Sequence, residues 1–98
     1  MPTPASDDSI RDRLDAAVPQ ALRENDQPAV EAAEETIGVI ESAAEAAVGP
    51  LTEAEMFAIV VAEAAARESL AAEKRAAGDT AAADRLIAQA TYLREFTA

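Results

Sequence analysis

Hydrophobic residues recur at spacings of three and four along four segments of the chain, which is the pattern of amphipathic helices. No segment shows the strict alternation of a half-buried strand. The predicted apolar stripes are Ile10, Leu14, Ala17, Val18, Ala21 and Leu22; Val30, Ala33, Ile37, Ile40, Ala44 and Ala47; Met56, Phe57, Ile59, Val60, Val61 and Ala64; and Ala83, Leu86, Ala90, Leu93 and Phe96. The pattern therefore predicts four helices.

The third predicted helix has both of its ends marked in the sequence. Thr52 and Glu55 form a capping-box pattern, in which each side chain bonds the backbone N–H of the other residue. Leu51 and Met56 occupy the two positions of a hydrophobic staple. Gly78 can adopt the left-handed conformation that commonly follows a helix. The helix is therefore predicted between Thr52 and Gly78.

Capping and turn residues separate the other segments. We expect the N-cap of the first helix at Ser6, Asp7 or Asp8 and that of the second helix at Asp26. The N-cap of the fourth helix is expected at Asp79 or Thr80. Gly49-Pro50 is predicted to end the second helix. Pro19 falls inside the first apolar stripe, where it removes a backbone hydrogen bond and predicts a kink or a break.

The connections are short, and short connections favour antiparallel neighbours. The sequence therefore predicts an all-α fold: a single four-helix domain of two antiparallel helical hairpins over residues 9–98, after a disordered N-terminal tail at residues 1–8. The large apolar residues are few and predict one modest core. Its predicted members include Ile10, Leu14, Val18, Leu22, Val30, Ile37, Ile40, Val48, Leu51, Phe57, Val60, Val61, Leu70, Leu86, Leu93 and Phe96.

The formal net charge of −11 makes nucleic acids and anionic membranes unfavourable partners, because affinity for phosphates comes from Lys and Arg. No basic residue lies between Arg23 and Arg67. This stretch is either a solvated face or a docking surface for a basic partner. Its candidate contact residues are Glu31, Glu34, Glu35, Glu41 and Glu45.

The basic residues Arg67, Lys74, Arg75 and Arg85 gather around the third turn, after this acidic stretch. One interpretation is that they pair with Glu63, Glu68 and Asp84, since Glu63 and Arg67 have the favourable i, i+4 order. The other is a small contact surface for RNA or protein. Both interpretations stay open at this level.

The sequence predicts no catalytic residue, no metal site and no cofactor. It has no histidine and no cysteine. The carboxylate pairs Glu31/Glu35 and Glu41/Glu45 lack the Glu-x-x-His motif of a di-metal bundle site. Ser42 has no flanking glycines of a nucleophile elbow, and no glycine-rich phosphate loop is present. Neither a membrane span nor a signal peptide is recognisable, so we expect a cytoplasmic protein.

A set of residues resembles, in order and spacing, the GatB/YqeY family of small bacterial helical proteins over roughly residues 9–96. Relatives tend to carry Arg at the position of Glu34 and Asn at that of Ser42. The alanine-rich, acidic composition suggests an actinobacterial member. The residues that carry the resemblance are Leu14, Glu24-Asn25-Asp26, Ile40-x-Ser42-Ala43, Leu51-Thr52-Glu53-x-Glu55, Glu63, Arg67, Ala77-Gly78, Ala83, Leu93 and Phe96.

The resemblance implies a helical fold like the N-terminal domain of that family. It also implies a link to the glutamine-dependent tRNA amidotransferase, whose B subunit shares a region with the family, and an inherited label of carbon–nitrogen ligase. Relatives continue into a three-helix domain most like the tRNA-contacting tail of that subunit, and we expect this chain to lack it.

The sequence supports two functional hypotheses. The first is a non-catalytic helical interaction module that binds a protein partner or forms a homo-oligomer. The second is an accessory to the tRNA amidotransferase that binds the enzyme or tRNA. An independent enzyme is disfavoured because no catalytic constellation is present.

Overall fold

The computed structural model describes residues 8–98 and contains four helices: α1 (Ile10–Arg23), α2 (Gln27–Ala46), α3 (Glu53–Ala76) and α4 (Thr80–Glu95). No strand occurs in this part of the chain. The predicted all-α, four-helix fold is confirmed. Residues 1–7 of the predicted disordered tail lie outside the described residues. Asp8, the last residue of that tail, is exposed and precedes α1.

The helices pair as two antiparallel hairpins, α1–α2 and α3–α4. The start of α1 meets the end of α2, where the Arg11 guanidinium binds the Glu41 carboxylate. Glu68 of α3 likewise binds Arg94 near the end of α4. The α3–α4 pair has the most extensive packing, and α2 contacts α4 more than it contacts α3. α2 therefore lies across the second hairpin.

The cap of α3 was predicted correctly, whereas that of α1 was not. The Thr52 hydroxyl accepts from the Glu55 N–H at 3.1 Å, and the Glu55 carboxylate accepts from the Thr52 N–H at 2.8 Å, which completes the capping box. Ser9 caps α1 by accepting from the Asp12 N–H, so the prediction of a cap at residues 6–8 is wrong. Ser9 is the residue immediately before the first buried position, Ile10.

Aspartates cap the remaining two helices. Asp26 accepts from the Ala29 N–H and Asp79 from the Ala82 N–H, each at 3.2 Å. The predicted cap of α2 is confirmed, and Asp79 is the cap of α4. Thr80 becomes the first residue of that helix.

α1 continues through Pro19 without a break. Proline has no N–H, so it cannot donate to the Asp15 carbonyl four residues earlier. Both Pro19 and Asp15 are exposed, and water can therefore satisfy that carbonyl. The helix tolerates the proline because the lost bond lies on its solvent side.

The core is small and rich in alanine. Its largest fully buried side chains are Ile10, Leu14, Ile40, Val60 and Leu93, which come from all four helices. Small alanine side chains let the helices approach closely. A narrow stripe of each helix is thereby enough to fill the interior.

Four residues predicted for the core lie largely outside it, namely Leu22, Val48, Phe57 and Leu70. The buried stripe of α3 runs through Val60, Ala64, Arg67 and Ala71, at spacings of four, three and four. Leu70 flanks this stripe, and Phe57 lies in line with it, three residues before Val60. Val48 lies beyond the end of α2.

Within residues 8–98, no helix combines the length and the apolar character needed to cross a bilayer.

Candidate functional site

Arg67 is a charged residue at a core position, where α2, α3 and α4 meet. Its exposed fraction is 8%. Its guanidinium donates to Gln89 Oε1 at 3.1 Å, to Glu63 Oε1 at 2.9 Å and to Glu35 Oε1 at 2.6 Å. It also donates to the backbone carbonyl of Glu63 at 3.2 Å. A buried guanidinium is stable only when it is paired in this way.

Gln89 extends these bonds to a second arginine. It is 5% exposed, and its amide donates to Glu31 Oε1 at 3.1 Å. Arg85 also binds the Glu31 carboxylate, at 2.6 Å. Each helix contributes two residues one turn apart, so the three helices are held in a fixed register. We call the six residues the Arg67 network: Glu31, Glu35, Glu63, Arg67, Arg85 and Gln89.

A groove of about 300 Å³ lies beside the Arg67 network. Its apolar lining comes from Ala66, Leu70 and Leu86, and its polar lining comes from four network residues. The Leu70 side chain is 41% exposed. We call this the network groove. In this groove an accessible apolar surface adjoins a fixed set of charges.

A second groove, of about 440 Å³, is formed by α3 and α4 alone. Ala71, Ala72, Ala76 and Ile87 supply its apolar lining, and Glu68 and Arg75 its charged lining. We call it the hairpin groove. Ile87 is 40% exposed, close to the exposure of Leu70, which makes it a matched reference for that residue.

The predicted pairing of the basic residues is confirmed for two of them. Arg67 binds Glu63, and Arg75 binds Asp84 at 3.3 Å. Glu68 binds Arg94 instead, through two hydrogen bonds of 3.0 and 2.7 Å. Arg67 offers little surface to a partner because it is buried.

The acidic candidates on α2 differ in their surroundings. Glu31 and Glu35 belong to the Arg67 network, and Glu41 binds Arg11. Glu34 and Glu45 are exposed and make no ion pair within residues 8–98. Lys74 likewise has no ion pair in the described part of the chain. Glu34 and Glu45 are therefore fully available to solvent or a partner.

Hydrogen bonding shifts the pKa of several exposed groups. The pKa of Glu68 is lowered by its hydrogen bonds to Arg94, and the pKa of Arg94 is raised by the same pair. The pKa of Glu55 is lowered by the backbone and side-chain bonds of the capping box. The Glu41 bond raises the pKa of Arg11. These shifts belong to structural contacts at the surface and define no acid–base pair.

Two buried hydroxyl groups, Thr36 Oγ1 and Tyr92 Oη, have no hydrogen-bond partner among residues 8–98. Burial raises the pKa of Tyr92, and the nearby charges of Glu95, Asp26 and Glu24 add to that effect. The Tyr92 ring packs edge-on against Phe96 with centroids 5.3 Å apart. Both side chains are half-buried.

No group of three or more carboxylates is placed to hold a metal ion in the described structure. The chain has no histidine or cysteine to contribute. Glu31 is instead bound to Arg85, and Glu35 to Arg67.

Comparison of the chain with protein families, curated proteins and solved structures finds no match. The resemblance to the GatB/YqeY family therefore stays a prediction. The charges, grooves and contacts of the described residues are the basis on which a function can be assigned.

Proposed function

We propose that this chain is a non-catalytic helical module that binds a basic protein partner along α2. The observation that carries the proposal is the distribution of charge on that helix. α2 carries five carboxylates and no basic residue over 20 residues. All five carboxylates are at least partly exposed. Glu31, Glu35 and Glu41 are paired with arginines of other helices, so Glu34 and Glu45 are the α2 carboxylates without an ion pair among residues 8–98. Such charges attract a partner of the opposite sign and speed its association.

Most arginines form ion pairs with carboxylates of the same chain, which supports a protein partner over a nucleic acid. Within residues 8–98, six of the seven arginines make an ion pair with a carboxylate. Arg23 and Lys74 are the cations without an acidic partner there. A nucleic acid needs several free cations to neutralise its phosphates. The charge distribution therefore favours a basic protein over an RNA.

The family resemblance suggests one identity for that partner. A GatB/YqeY-like protein could act as an accessory to the tRNA amidotransferase by binding a subunit of the enzyme, and the binding of tRNA is disfavoured by the paired arginines. A cytoplasmic location suits either partner. Self-association is disfavoured because two copies with a net charge of −11 repel each other.

The test is a pull-down of the tagged protein from extract of its own cells, with and without RNase. The wild type is compared with Glu34→Gln/Glu45→Gln, which removes two free carboxylates of α2. The control is Glu73→Gln/Glu95→Gln, which removes the same charge from exposed positions on α3 and α4 that have no ion pair among the described residues. Recovered proteins are identified, and binding is repeated with the purified partner over a series of salt concentrations.

The proposal expects a basic protein that the α2 variant loses and the control retains, with affinity that falls as salt rises. Recovery of an amidotransferase subunit would connect the resemblance to function. Loss of the partner after RNase treatment, or equal loss in both variants, would contradict a protein partner bound along α2.

A further inference from the structure

We infer that the network groove receives an apolar side chain of the basic partner, with a partner cation placed on Glu35. This inference rests on the proposed function and deepens it, because it names where the partner binds. In this groove an exposed leucine lies close to a carboxylate that is incompletely neutralised. A helix with an apolar face and basic residues can contact both, so the occupant is a basic amphipathic helix.

The apolar part of the site is Leu70 together with Ala66 and Leu86. A leucine that is 41% exposed beside a groove of about 300 Å³ has apolar area left to bury. Each buried aliphatic side chain contributes about 1.5–3 kcal/mol of transfer free energy. One apolar residue of a partner fits a groove of this size.

The charged part of the site is Glu35. Its side chain is 61% exposed, and its Oε1 accepts from Arg67. Its Oε2 makes no hydrogen bond within the described residues. The Arg67 network contains three carboxylates and two guanidiniums, so these six residues carry one net negative charge beside the groove. A Lys or Arg of the partner can bind the free oxygen.

The pairing of charges also disfavours a second copy of this chain as the occupant. In the described structure, six arginines are paired internally, so another copy has few cations to bring to Glu35. The hairpin groove offers a partner cation less, since both carboxylate oxygens of its Glu68 accept hydrogen bonds from Arg94. Apolar lining is present in both grooves, whereas a free carboxylate oxygen adjoins the network groove.

The experiment titrates the full chain with a synthetic amphipathic peptide of leucine and lysine at helical spacing, followed by NMR amide shifts. A peptide with glutamate in place of lysine serves as the charge control. The variants are Leu70→Ala, Glu35→Gln and the matched control Ile87→Ala. Circular dichroism of each variant verifies that the fold is intact, and Leu70 and Ile87 are exposed enough for this to be expected.

On addition of the lysine peptide, we expect chemical-shift changes centred on the amides of Ala66, Leu70, Leu86 and Gln89. We also expect Leu70→Ala to weaken binding about tenfold and Ile87→Ala to leave it within about twofold. Glu35→Gln should weaken binding and reduce its salt dependence. Equal effects of Leu70→Ala and Ile87→Ala, or equal binding of the glutamate peptide, would overturn the inference.

Leu70→Ala and Ile87→Ala are also used in the pull-down. If the partner depends on Glu34 and Glu45 but not on Leu70, the network groove is wrong while the proposed function stands. If the peptide binds the groove but no basic protein is recovered, the proposed function fails instead.

Discussion

Asn25 and Gly78 occupy the same position in the two turns that close the hairpins. Asn25 has φ 56° and Gly78 has φ 86°, and an aspartate that caps the next helix follows each of them. The Asp26 N–H donates to the Ala21 carbonyl at 2.9 Å, and the Asp79 N–H donates to the Lys74 carbonyl at 2.8 Å. These are the bonds of a Schellman motif. The two hairpins therefore share one turn design.

Substitutions in this turn should follow the backbone conformation. We expect Gly78→Ala to lower the free energy of unfolding by about 1–2 kcal/mol, because a Cβ is unfavourable in the left-handed region. Gly78→Asn should cost less, since Asn25 already fills the same position.

Gly38→Ala should instead stabilise by about 1 kcal/mol, because Gly38 lies within α2 and an added Cβ meets nothing within 4 Å. Urea unfolding of the variants measures all three, and a common sign for both alanine substitutions would contradict this account.

Thr36 is fully buried and its hydroxyl has no hydrogen-bond partner among residues 8–98, so the burial of that hydroxyl costs stability. Thr36→Val replaces that hydroxyl by a methyl group of similar volume. We expect it to stabilise by about 1 kcal/mol, which raises Tm by about 4–8 °C in a domain of this size. The control Thr36→Ser keeps the hydroxyl and removes the methyl group, and it should destabilise by about 1 kcal/mol. A lower Tm for Thr36→Val than for the wild type would show that the hydroxyl is satisfied.

Arg67 should be sensitive to a conservative substitution that Arg85 tolerates. A lysine at position 67 cannot reach Gln89, Glu63 and Glu35 together, and the buried Gln89 Oε1 would lose its donor. We expect Arg67→Lys to cost about 1–3 kcal/mol of unfolding free energy. Arg85→Lys should cost less than about 1 kcal/mol because the Arg85–Glu31 pair is about half exposed. Equal losses in denaturant titrations would place Arg67 among ordinary surface ion pairs.

Glu68 should contribute a pH-dependent part of the stability. Its folded pKa lies below the ordinary value of 4.5 because Arg94 binds its carboxylate. The stabilisation from the Glu68–Arg94 pair is therefore complete when the pH is above the ordinary pKa, and it is lost as the pH falls through the lowered folded pKa. We expect the difference in unfolding free energy between wild type and Glu68→Gln to shrink over this acid range. Glu73→Gln makes the same charge change at an exposed site and controls for the relief of overall repulsion. A difference that does not change with pH would contradict the assignment.

The helices could be predicted because their signals are local. Caps such as Thr52 and Asp26 act within one turn, and the stripes through Ile37 and Leu93 repeat at helical spacing. The depth of burial could not be predicted from residue type alone. Phe57 is apolar and lies three residues before Val60, at the spacing of the buried stripe, yet it is about half exposed.

The Arg67 network was only partly predictable. The Glu63–Arg67 pair has a local spacing and was predicted, whereas Gln89 was missed. The partners Glu35 and Gln89 lie 32 and 22 residues from Arg67, so no local pattern connects them. One signal was present: Arg67 continues the spacing of Val60 and Ala64, which marks a buried position. Its charge, taken alone, suggested the surface.

The arrangement of the Arg67 network has a consequence for the order of folding. Glu31 and Glu35 belong to the first hairpin, and the other four network residues belong to the second. Each hairpin closes through a short local turn, but the bonds between the hairpins join residues from 32 to 58 positions apart. Closing such long loops costs more entropy than closing a turn. We therefore expect the hairpins to form first, and the last step to be the desolvation of Arg67 as α2 docks across α3 and α4.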